Sequence, residues 1–232
     1  MSDILEDAER LLAQLPDAVD RRRLGQRLSQ ALVSLRTVDH QVARMTALIE
    51  LAPMIEFGAT EEQREAREEM IEIATDLGEM LEKADSEEAL RLAIHEYDNG
   101  LPPAIRGFEQ HIRERWRVVV GERFAPMVGI GQLLSAMNVP DDLGGRLAAC
   151  GNQAKNTASL GTVTDLLPQV RCLMNDYATL QAERAREIGE DEVGEFINAL
   201  AERRATLAMV TDKVRAWLEA HEALDRLGVN TR

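Results

Sequence analysis

Aromatic side chains make up only 3% of this 232-residue sequence, and no Val–Thr–Tyr runs appear. Those residue types pack well on a pleated surface, so their scarcity argues against a sheet protein. No apolar run approaches the roughly 18 residues that a membrane-crossing helix needs. The opening stretch, MSDILEDAERLL, carries acids early and no sustained apolar segment, so it reads as no secretory leader. Cys150 and Cys172 are the two cysteines; they form no Cys-x-x-Cys pair and no metal-ligand spacing. Reduced thiols in a cytoplasmic protein are the expectation. Lysine is nearly missing, with three against 24 arginines. Glycine is thin at the front, where only Gly25, Gly58 and Gly78 precede Gly100.

What remains is rich in Leu, Ala, Glu and Arg, whose side chains lose little rotamer freedom on a helix. The fold class expected is all-α: an antiparallel coiled-coil-like helical hairpin followed by a helical bundle. Leu24, Leu28, Ala31, Leu35, Val38, Val42, Met45, Ile49 and Ala52 alternate spacings of four and three, the mark of a narrow apolar seam. Pro53 and Gly58 interrupt it. Thr60 and Gln63 have the spacing of a capping box, after which Ala66, Met70, Ile73, Leu77, Met80 and Ala84 resume the pattern. Two seams across a short break predict an antiparallel hairpin with arms near 20–52 and 60–84; two ordinary bundle helices would show the same period. Asn99–Gly100 reads as a helix end and Pro102–Pro103 as the next start. The expected division is therefore 1–98, the hairpin region, and 99–232, a bundle. Seven of the eight aromatics lie at or after Tyr97, which places the main core there.

Charge is as uneven as glycine. Ten of the fourteen net negative charges fall on residues 59–98. Such a run is either a solvated helix face or a surface that steers a basic partner, with Glu65, Glu68, Glu69 and Glu72 its centre. The second candidate contact is the hairpin tip. Met54, Ile55 and Phe57, between Pro53 and Gly58, either anchor a partner or fold back as a hydrophobic staple.

The motifs of known chemistries are missing. A di-iron bundle needs Glu-x-x-His, so that both ligands share one helix face. The residues three before His40, His95, His111 and His221 are Thr37, Leu92, Phe108 and Leu218. No His-Glu-x-x-His, Gly-Lys dipeptide or Gly-x-Ser-x-Gly occurs, and Gly129-Ile130-Gly131 lacks the third glycine of a dinucleotide loop. No catalytic, metal or cofactor residue is assigned. Arg113, Arg115, Arg117 and Arg123 cluster about Trp116 as a candidate nucleic-acid patch, although a chain at −14 repels phosphate elsewhere. Arg106–His111 spells RGFEQH and resembles the Arg-x4–6-His element of the HEPN ribonuclease family. The resemblance covers six residues, with Gly107 where a polar residue commonly follows the arginine. It implies phosphate contact by Arg106 and acid–base work by His111.

The reading that follows is a non-catalytic adaptor or accessory subunit acting through its hairpin and acidic surfaces, with a protein partner or a second copy. The alternatives are a nucleic-acid-associated regulator using the Arg113–Arg123 patch and a HEPN-like ribonuclease.

Overall fold

The computed structural model describes Arg22, Thr37 and residues 40–83, 87–137, 139–159 and 161–224. The chain divides into two compact units, Met1–Met45 and Thr46–Arg232. In the first, the described residues are helical, and Arg44 donates to the Gln41 side chain at 3.1 Å. Leu24, Leu28, Ala31, Leu35 and Val38 of the expected seam lie outside the described residues.

The second unit is all-α among its described residues. A helix runs unbroken through residues 40–54, and its stretch within this unit, 46–54, is α1. Its buried face is Ala47, Leu48, Leu51 and Ala52, continued by Ile55 beyond its end. The expected seam does not persist here: Ile49 is 37% exposed and, just upstream, Val42 is 44% exposed. The buried stripe has the wider i, i+3, i+4, i+7 form of a helix facing a globular core, which replaces the narrow coiled-coil register.

Helix α2, Glu61–Glu82, starts where its cap chemistry says. Thr60 Oγ1 accepts the Gln63 amide at 3.4 Å, and Gln63 Oε1 accepts from the Gly58 amide at 3.0 Å. The reciprocal bond of a capping box thus reaches past Thr60 into the turn. Met70 and Leu77 are buried, Ala66 and Ile73 half-buried. Helix α3, Glu87–Val119, packs back against α2. A Cβ on Gly100 would sit 3.4 Å from Ile73 Cγ2, so the two helices run antiparallel and close.

The helix end expected at Asn99–Gly100 and the restart expected at Pro102–Pro103 are corrected by α3, which passes unbroken through all four residues. A proline inside a helix costs about 3 kcal/mol through its missing amide and ring clash. Tertiary burial outweighs that here. Leu101, Ile105 and Phe108 continue in phase with Ala93 on one side and with Ile112, Trp116 and Val119 on the other. Each large apolar side chain contributes about 1.5–3 kcal/mol on full burial.

Val120–Phe124 then form a π-helical turn, in which the Ala125 amide donates to Val120 O, five residues back. Pro126 follows at the start of α4, Ala125–Ala136. Widening the helix by one residue just ahead of a proline relieves its clash with the preceding turn. After Val139 and a 3-10 turn at Pro140–Asp142, α5 covers Leu143–Thr157 and α6 Val163–Glu187. Glycines let α4 and α5 touch through their backbones: a Cβ on Gly131 would lie 2.5 Å from Ala148 N and from Gly144 O. A Cβ on Gly151 would likewise lie 2.6 Å from Phe124 O, in the turn just before α4.

Thr162 caps α6 by accepting the Asp165 amide. Helices α7, Glu192–Ala201, and α8, Asp212–Ala220, are capped by Asp191 and Thr211, each accepting a first-turn amide. The core is tied together by aromatics. Trp116 meets Phe124 at 5.7 Å and Phe124 meets Tyr177 at 5.3 Å between ring centroids. The Trp116 indole N–H donates to Thr157 Oγ1 at 3.1 Å, and that hydroxyl donates to Ala154 O. Both buried polar atoms are thereby satisfied. Among the described residues no helix is long and apolar enough to cross a membrane.

Candidate functional site

The tip and the arginine patch are brought together, and each occupies the other. Phe57 N–H donates to Ala52 O at 2.9 Å, closing the turn after α1. Ile55 is fully buried, while Met54 and Phe57 are half-buried. The Phe57 ring stands edge-on to Phe108 at 5.1 Å. The tip therefore folds inward as a staple, and Ile55 is core rather than an anchor for a partner. Two apolar side chains next to an aromatic helix face gain more from that face than from water.

Glu56 has a left-handed backbone, φ 54°, and its carboxylate turns to the arginines. It bonds Arg123 and lies 3.6 Å from Arg115. Arg115 Nε donates to Ile55 O at 3.0 Å, and its other end faces Glu122 at 3.7 Å. The Arg123 hydrogen bond and charge hold the Glu56 carboxyl below its ordinary range. Arg113 is engaged with Glu109 at 2.7 Å and with Gly161 O at 3.0 Å. Trp116 is 1% exposed, so it offers no ring for a base to stack upon. Of the five patch residues, only Arg117 is exposed. Arg113 and Arg115 on α3 and Arg123 beyond it are thus held in internal pairs, while Arg117 is exposed.

Arg106 and His111 both lie on α3. Five residues along one helix turn them about 140° apart around its axis, with Arg106 exposed and His111 half-buried, 3.8 Å from Glu114.

The acidic set has the opposite fate. Glu61, Glu62, Glu65, Glu68, Glu69, Glu72, Asp76, Glu79 and Glu82 are all exposed on α2. Glu61 pairs with Arg64 and Glu79 with Lys83. Glu65, Glu68, Glu69 and Glu72 have no ion-pair partner among the described residues. Glu61, Glu65 and Glu69 repeat at four-residue spacing, as do Glu68, Glu72 and Asp76. Like charges so placed destabilise a helix by about 0.2–0.5 kcal/mol per pair.

A cleft of about 320 Å³ is lined by Pro140, Asp141, Leu143, Arg146, Glu183, Arg186 and Glu187, and two further clefts lie in the same unit. One, of about 260 Å³ between α5 and α6, is lined by Arg146, Cys150, Gln153, Asp176 and Thr179. Arg146 spans the helices to Glu183 in a two-pronged pair at 2.6 and 3.0 Å, which lowers the Glu183 titration. Burial, with smaller contributions from Asp176 and Cys172, pushes the Cys150 thiol up to about 11. Such a thiol stays protonated at neutral pH and makes a poor nucleophile, whereas Cys172 is exposed. The other cleft, of about 190 Å³, holds Arg184, whose guanidinium donates to Asn198 Oδ1 at 2.6 Å and Gln181 Oε1 at 3.2 Å. Burial lowers its titration. Glu190 and Glu195 also line that cleft, so its charge is mixed. Neither cleft pairs an activated nucleophile with a base. Among the described residues no three His, Cys, Asp or Glu side chains group as metal ligands.

Sequence reasoning missed the Arg146–Glu183 and Arg184–Asn198 links. Their partners stand 37 and 14 residues apart, on helices whose pairing no local pattern announces. In comparison with known proteins, the chain matches no family model, no curated protein and no solved structure.

Proposed function

We propose that this chain is a non-catalytic protein-interaction module, an adaptor or accessory subunit, that offers the acidic face of α2 to a basic partner. One observation carries the proposal. Helix α2 packs along α3 and buries Met70 and Leu77, while its outer face repeats like charges that weaken the helix and serve no packing. A surface of that kind raises the encounter rate with an opposite charge and excludes acidic competitors. Ile71 and Met80, 39% and 37% exposed on the same helix, add apolar area at the margins of the acidic face. The nucleic-acid and ribonuclease alternatives have no comparable support, because the residues they rely on are paired internally, buried or set apart.

The test replaces Glu65, Glu68, Glu69 and Glu72 together by Lys. The variant is expected to keep the helical signal and unfolding midpoint of the native chain. It should lose the protein that the native chain captures from its own extract, most clearly at low salt, since exposed charges are screened beyond about 8–10 Å at physiological ionic strength. Capture that survives the reversal at low salt removes the acidic face from the mechanism. A native chain that stays monomeric in light scattering and recovers no specific partner overturns the adaptor reading itself.

A further inference from the structure

We draw no further inference here: the strongest candidate, the cleft between α5 and α6 that gathers Cys150, Arg146, Asp176 and Thr179 with Cys172 one helical turn from Asp176, rests on two free cysteines that no direct contact joins, and the one sign of their proximity is the effect of Cys172 on the titration of the Cys150 thiol.

Discussion

Helix α2 and the α4–α5 pair solve the same problem by opposite means. Helix α2 holds its place with few deeply buried side chains, Met70 and Leu77, and spends its remaining surface on charge. Gly78, in its interior, has open space where a Cβ would go. The α4–α5 pair is held by absence. Gly131, Gly144 and Gly151 bring backbone against backbone, and Leu134, Leu143, Leu147 and Ala154 close the surroundings. A glycine in one helix is idle; in the other it sets the distance between two helices. The lesson is that residue type alone does not reveal which glycines matter; the neighbour across the interface decides.

That contrast can be broken or sharpened by substitution. The largest effect is expected at the aromatic core beside the glycine contact, where Trp116→Ala should lower unfolding stability by about 3–5 kcal/mol. It removes the ring packed on Phe124 and takes the indole donor from Thr157. Urea unfolding measures this, and a loss below about 1 kcal/mol would show that the ring is not core.

Next comes the pair of glycines. Gly131→Ala should cost about 1–3 kcal/mol, because the added methyl meets backbone atoms that cannot rotate away. Gly78→Ala should stabilise by up to about 1 kcal/mol, the helix-propensity gain at an open site. Equal effects of the two in the same unfolding assay would erase the comparison.

The thiols give a smaller, pH-dependent readout. A folded titration raised from 9.0 to about 11 means that Cys150 adds stability below pH 9, and that this is lost as pH rises through about 11. At pH 8 a thiol-specific alkylating reagent should modify Cys172 quickly and Cys150 only when the chain unfolds. Equal labelling rates, read by mass spectrometry, would place Cys150 at the surface.

The smallest effect belongs to Glu56. Its lowered titration adds stability above the ordinary carboxylate value, and that contribution disappears as pH falls through the lowered one. Glu56→Gln should therefore melt slightly below the native chain at pH 7 and together with it in strong acid. A gap unchanged between the two conditions would detach Glu56 from Arg115 and Arg123.

Much of the helical order was legible beforehand. The Thr60–Gln63 start, the Met70–Leu77 spacing and the aromatic concentration after Tyr97 all follow from local chemistry. The break at Asn99–Pro103 was misread because Gly and Pro signals are local, while the apolar phase that carries α3 through them extends from Ala93 to Trp116. The Ile49 seam position was misread for a related reason: four-three spacing fits two adjacent stripes, and Leu48 with Leu51 took the core.

Composition and periodicity by themselves determined that this chain is helical, where its acids concentrate and where its aromatics gather, because these depend on residues within one or two turns of each other. Tertiary structure decided what each charged group does. Arg115 and Arg123 meet Glu56 across about sixty residues of chain, and a basic patch becomes an internal latch, while Glu65, Glu68, Glu69 and Glu72 of α2 have no ion-pair partner among the described residues and remain exposed. An ion pair depends on distance in space, and distance in space between helices is set by which apolar stripes they share.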